Sequence, residues 1–263
     1  MKFYKNFTTF QKGFFLVFLV ASLIAFFMPA FLPNGSLSGV LTTLGVIGLI
    51  STLSGVLVSL YTAKASISGY IWWWINTISF GVICLVDSLY GQFIQNIFIL
   101  LPLQIYGFIA WKKNMSKNNS DEIAIKKFSK KKWIVALILV FICWLLYGYF
   151  LLELPTIMKT LFDIKISADP DIILDSFTSV LTITAVFLTG KRFIEQWHFW
   201  LVSNSLGIIM FVIETVNAGI SNPSVFVADL SNTISLLQYM VGAIYGFYLW
   251  KKLYKERAGK YVG

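Results

Sequence analysis

Eight stretches of this chain are apolar over membrane-crossing length and are separated by short polar breaks. They run over Phe14–Leu32, Leu37–Ala63, Gly69–Val86, Gly91–Trp111, Trp133–Leu154, Ile172–Thr189, Trp197–Val216 and Val225–Trp250. A bilayer core of roughly 30 Å is crossed by about 20 helical residues. In lipid the backbone has to satisfy its own hydrogen bonds, so each stretch reads as a helix. The first run follows Lys2, Lys5 and Lys12 in the manner of a signal peptide. It is long, however, and no small-x-small cleavage site closes it, so it reads as a retained helix. The expected fold class is an all-α membrane protein with eight transmembrane helices.

Composition agrees with this pattern. The chain is 57% hydrophobic and 13% charged, where a soluble domain is about one quarter charged. The 17% of Phe, Trp and Tyr suits broad interfacial belts. Cys84 and Cys143 lie in apolar runs outside any C-x-x-C pair, which reads as small buried residues rather than a disulfide or metal site. The formal charge of +9 would suggest a nucleic-acid partner in a soluble protein. With a cytoplasmic N-terminus, however, every Lys and Arg except Lys159 and Lys165 falls on the cytoplasmic side. The opposite orientation would violate the positive-inside tendency. The charge is therefore a topology signal, with both termini cytoplasmic and no nucleic acid implied.

Two segments repeat. Ile105–Lys113, IYGFIAWKK, returns as Ile244–Lys252, IYGFYLWKK. Earlier in each half Trp72 and Asn76 align with Trp200 and Asn204, and Lys64 with Arg192. Each repeat spans three helices, an odd number, so equal orientation of the halves requires a linker helix, which Trp133–Leu154 supplies. The expected organisation is an N-terminal helix (1–36), a first repeat (37–113), a basic loop with linker helix and outer loop (114–171), a second repeat (172–252) and a cytoplasmic tail (253–263). This is a parallel three-plus-one-plus-three bundle with one extra helix. Parallel repeats of this kind occur in transporters, with the substrate site near the midplane; a channel could share them. Gly45, Gly48, Ser51 and Gly55 allow close helix contact, within or between protomers.

The chemistry concentrates near the second repeat. Trp197, Trp200 and Asn204 share one helical face, running from the cytoplasmic end inward. Trp197 suits a headgroup-level anchor as well as a binding role. Asn204 lies where lipid offers no hydrogen-bond partner, and polar residues at depth face protein or a water-filled path. Asn76 beside Trp72, Gln104 two residues after Pro102, Gln95 nearer the outside and Gln238 in the last helix add amides on other helices. Each alone could be an interhelical fastening; together they suggest a shared polar cavity. Glu195 reads as a solvated loop residue, and Asp175 and Asp229 as carboxylates near helix N-termini. Stacked aromatics and neutral hydrogen bonders suit a planar ring carrying hydroxyls, including a cationic one. That describes a nucleoside, and sugars fit as well.

His198 is the sole histidine and points away from the Trp197–Trp200 face, so no proton carrier lies at depth and a uniporter is the simpler reading. H-E-x-x-H, G-x-S-x-G and P-loop motifs are missing, as is a deep Cys–His pair, so an enzyme is disfavoured and no cofactor is expected.

Asp175–Asn204, with its Asp-Ser start, Thr-x-Lys turn and Glu-x-Trp-x-x-Trp followed by Asn, resembles the signature region of the PnuC family of bacterial vitamin transporters. Ile75–Asn76, Phe80–Gly81, Leu89–Tyr90 and the Tyr-Gly before Trp111 extend the resemblance across roughly Leu37–Trp250. It implies facilitated diffusion of nicotinamide riboside across the bacterial inner membrane, trapped by cytosolic phosphorylation. It also implies a SWEET-like bundle and a homotrimer, with Trp197, Trp200, Asn204, Asn76 and Gln104 in the site. Relatives that take thiamine or riboflavin make those the alternative substrates. Two features depart from the pattern: Gln104 stands where many members carry Asn, and shorter members lack the N-terminal helix.

Overall fold

The computed structural model describes residues 7–31, 36–86, 89–168, 171–218 and 223–258. Helix α1, Thr9–Phe27, opens on a reciprocal cap: Thr8 Oγ1 accepts from the Gln11 amide (3.3 Å) and Gln11 Oε1 from the Thr8 amide (3.1 Å). The second apolar run divides into α2, Leu37–Val40, and α3, Thr43–Ala63. Thr42 is the cause, because its hydroxyl accepts from the Gly45 amide and starts a new helix inside an unbroken apolar run. Next come α4, Gly69–Val86, and α5, Tyr90–Ile94. A π-helical stretch over Gln95–Leu100 leads directly into α6, Leu101–Lys117. Pro102 cannot donate a backbone hydrogen bond, and the widened turn before it lets the helix continue past it.

The linker helix α7, Lys130–Phe162, is 33 residues long and ends on Asp163 in the left-handed region (φ 54°). Then follow α8, Ile172–Gly190, α9, Gln196–Ala218, and α10, Pro223–Ala258. Among the described residues six helical stretches are long and apolar enough to cross a membrane: Thr9–Phe31, Thr43–Ala63, Gly69–Val86, Tyr90–Lys117, Lys130–Phe162 and Ile172–Gly190. The last two expected spans form α9 and α10, and Asp229 is a residue whose side chain lies outside the described set.

The turns between the first two helices of each half repeat each other. Ala65 and Arg192 both take positive φ, 54° and 66°. Ser66 donates to Tyr61 O as Phe193 does to Leu188 O, and Tyr70 donates to Ile67 O as Trp197 does to Ile194 O. The shared offset is 127 positions, from Ala65 to Arg192. The third helix of each half packs on the first helix of the other, α6 on α8 and α10 on α3. There Trp111 Nε1 donates to Thr189 O (2.8 Å) and Trp250 Nε1 to Thr62 O (2.9 Å). With this offset Trp73 and Thr77, rather than Trp72 and Asn76, are the partners of Trp200 and Asn204, and Lys64 pairs with Lys191.

The largest buried cluster lies at the basic end of the bundle and includes Tyr70, Trp73, Trp111, Ile123, Ile125, Trp197 and Trp250. A strap of the α6–α7 connection crosses it. Ile123 and Ile125 are buried, and Lys126 exchanges backbone bonds with Arg192 and Ile194 (2.8 and 3.0 Å). Arg192 Nε donates to Ala124 O, and Arg257 Nη1 to Ile123 O. Glu195, expected in solvent, is instead 3% exposed and accepts the Phe128 amide at 2.9 Å. Burial, then repulsion from Arg192, Lys132 and Lys191, holds the Lys126 ammonium below its usual pKa.

Candidate functional site

A cavity of about 1290 Å³ runs between the two halves. Its lining reaches exposed residues such as Gly39, Thr42 and Lys165 at one end and stops at Thr62, Trp73 and Trp197 towards the other. Past those residues the aromatic cluster and the strap close the basic end. The cavity is thus open on the side away from the basic residues.

Its floor is aromatic. Trp73 and Trp200, from α4 and α9, approach to 6.2 Å between ring centroids at 49°. At that spacing the indoles touch each other, within the 4.5–7 Å range of direct ring contacts. A flat ring entering between them would have to spread the pair, whereas one lying on an exposed face would not. Trp197 is 4% exposed, which rules out the headgroup anchor considered above. Its ring lies against Gly246 and meets Trp250 edge-on (5.8 Å, 81°), and its Nε1 has no protein partner. Gly246 is required here because a Cβ would fall 2.7 Å from Trp197 Cζ3.

A polar layer lies on the mouth side of the indoles. Asn204 is 5% exposed, lines the cavity, and its Nδ2 has no protein partner. In the first half the equivalent Thr77 is already engaged, because Gln104 Nε2 donates to its hydroxyl at 2.7 Å. The second-half counterpart of Gln104 is Ala243, which has no polar group to offer. Asn204 is therefore left with a free buried donor, which costs about 1–3 kcal/mol unless a ligand or water takes it up. Asn76 lines the cavity and donates to Ser51 O (2.8 Å). Gln95 lines it too, and accepts from Ser179 Oγ (3.1 Å).

The remaining expected site residues lie elsewhere. Trp72 is packed against the basic-end cluster and is not part of the lining. Gln104 is fully buried behind Thr77. Gln238 fastens α10 to α3 by donating to Ser59 Oγ (2.7 Å) and Gly55 O (3.2 Å). Trp73, Thr77 and Tyr239 line the cavity and were missed in the sequence. The missed signal is the Thr-x-Lys pair, Thr62–Lys64 and Thr189–Lys191, which sets the true register. Among the described residues, the charged side chains lining the cavity are Lys165 and Asp175.

The model of the family described as nicotinamide mononucleotide transporter matches residues 45–252. The chain belongs to this family. Family membership and the six apolar helices make it a multi-pass membrane protein. Among curated relatives, a nicotinamide riboside transporter PnuC from Neisseria mucosa is 24% identical over 214 residues, covering 80% of this chain and 74% of that one. The protein of the same name from Haemophilus influenzae is 25% identical over 211 residues, covering 80% and 81%. A crystal structure of the vitamin B3 transporter PnuC superposes with a TM-score of 0.69 at 22% identity, covering 95% of this chain and 94% of the other. That likeness establishes the fold.

Proposed function

We propose that this family member carries nicotinamide riboside across the bacterial inner membrane by facilitated diffusion, with cytosolic phosphorylation trapping the product. The observation that carries the reading is the cavity: paired indoles, the unpartnered Asn204 amide and, among the described residues, no cation in its depth. An indole face attracts a pyridinium by roughly 0.5–2 kcal/mol, and Asn204 and its neighbours can hydrogen-bond the carboxamide or ribose. The binding set is Trp197, Trp200, Asn204, Asn76 and Gln95, joined by Trp73, with Gln104 and Gln238 bracing the wall behind.

Eight spans, one N-terminal helix followed by a three-plus-one-plus-three bundle, with the basic end cytoplasmic, would make the described state open to the outside and sealed inside. The family resemblance further suggests a homotrimer. Nicotinamide mononucleotide is the second reading, from the family's description. A phosphate calls for Arg or Lys contacts, and among the described residues Lys165 at the exposed mouth is the sole cation along the cavity lining. Proteoliposomes test the choice. Saturable uptake of labelled nicotinamide riboside without an imposed ion gradient, uncontested by the mononucleotide, is the expected result. Uptake that needs a gradient, or prefers the mononucleotide, would overturn it.

A further inference from the structure

Tyr239 lies at a junction of the two halves that the expected site did not include. Its side chain, from α10, lines the cavity, as does that of Asn76 on α4. The Asn76 amide nitrogen donates to Ser51 O on α3 (2.8 Å). Gly55 on α3 makes this approach possible: a Cβ there would lie 3.2 Å from Tyr239 Cζ and 3.4 Å from Asn76 Nδ2, and closer still to the tyrosine hydroxyl. The hydroxyl carries one proton that it can donate to a ligand in the cavity its side chain lines.

The depth of this pair gives it a specific task. Asn76 lies three residues beyond Trp73 on α4, roughly 4.5 Å further toward the mouth. On α10, which runs the other way, Tyr239 is one turn on the mouth side of Ala243 at the aromatic floor. A ligand with its flat ring on the indoles would present the next group along its glycosidic bond at this level. We propose that Tyr239, set beside Asn76 and admitted by Gly55, donates to a ribose hydroxyl and so selects the nucleoside over the free base. This assignment rests on the nicotinamide riboside reading.

The test compares two ligands on the purified full-length protein: nicotinamide riboside and its 2′,3′-dideoxy analogue. Tyr239→Phe is expected to weaken the riboside roughly tenfold, the worth of one hydrogen bond, and to leave the analogue unchanged. Gly55→Ala keeps the hydroxyl but moves it, and should show the same selectivity. Equal weakening of both ligands, or no weakening of the riboside, would overturn the assignment while leaving the transport reading intact. A wild-type protein that binds no riboside, yet binds another ring compound, would overturn both.

Discussion

Replacing Trp250 by Phe removes one indole N–H and part of a ring from a site with 0% exposure. Thr62 O would keep its bond from the Ala65 amide (3.0 Å), so the carbonyl is not orphaned and the hydrogen-bond loss is the net value, about 1 kcal/mol. The two ring carbons lost from a packed core add about 0.8 kcal/mol each. The expected destabilisation is therefore about 2–3 kcal/mol. Trp111→Phe should cost the same, because Trp111 is 1% exposed and its acceptor, Thr189 O, keeps the Arg192 amide at 2.9 Å. Trp74→Phe is the contrast: its Nε1 is buried without a partner, so substitution removes an unsatisfied donor along with the ring atoms and should cost less. Unfolding of each variant in mixed micelles of rising SDS fraction, followed by fluorescence, measures the differences. Losses at Trp111 and Trp250 that differ by more than about 1 kcal/mol, or that do not exceed the loss at Trp74, would refute the claim that paired bonds join the halves.

Gly246→Ala forces a Cβ against the Trp197 ring and is expected to cost about 1–3 kcal/mol of stability and to weaken ligand quenching; an unperturbed melting curve would show that the floor is loosely packed. Arg257→Ala removes the bond to Ile123 O (3.0 Å) and the ion pair with Glu122 (3.2 Å). Trypsin should then cut faster at the exposed Lys126 and Lys127, because the strap loses its tie to α10. Unchanged cleavage would mean that the backbone bonds to Arg192 and Ile194 suffice.

The helices were legible because a bilayer imposes a length that few other constraints mimic. The break at Thr42 was not: the apolar run is continuous there, and a single hydroxyl turns it into a helix start. The register of the first-half site was hidden by three successive tryptophans, Trp72 to Trp74, any of which fits the spacing; the turn geometry at Ala65 and Arg192 singles out Trp73. Glu195 looked like a solvated charge because its partner is the amide of Phe128, and backbone donors leave no mark in a sequence. Tyr239 gains its meaning from Gly55, far away in the chain, whose missing side chain admits the hydroxyl. Close contacts of this kind depend on tertiary packing. The small residues of α3 did announce that some close approach occurs there, and Gly55 meets Tyr239 of the same chain.

Binding of nicotinamide riboside to the purified protein, followed by intrinsic tryptophan fluorescence, tests the central claim most directly. Thiamine, riboflavin and glucose serve as comparisons, with Trp200→Ala and Trp133→Ala as variants. Saturable quenching by nicotinamide riboside alone, lost in Trp200→Ala and kept in Trp133→Ala, is the predicted result. Quenching by one of the other ligands instead, or equal loss in both variants, would contradict it.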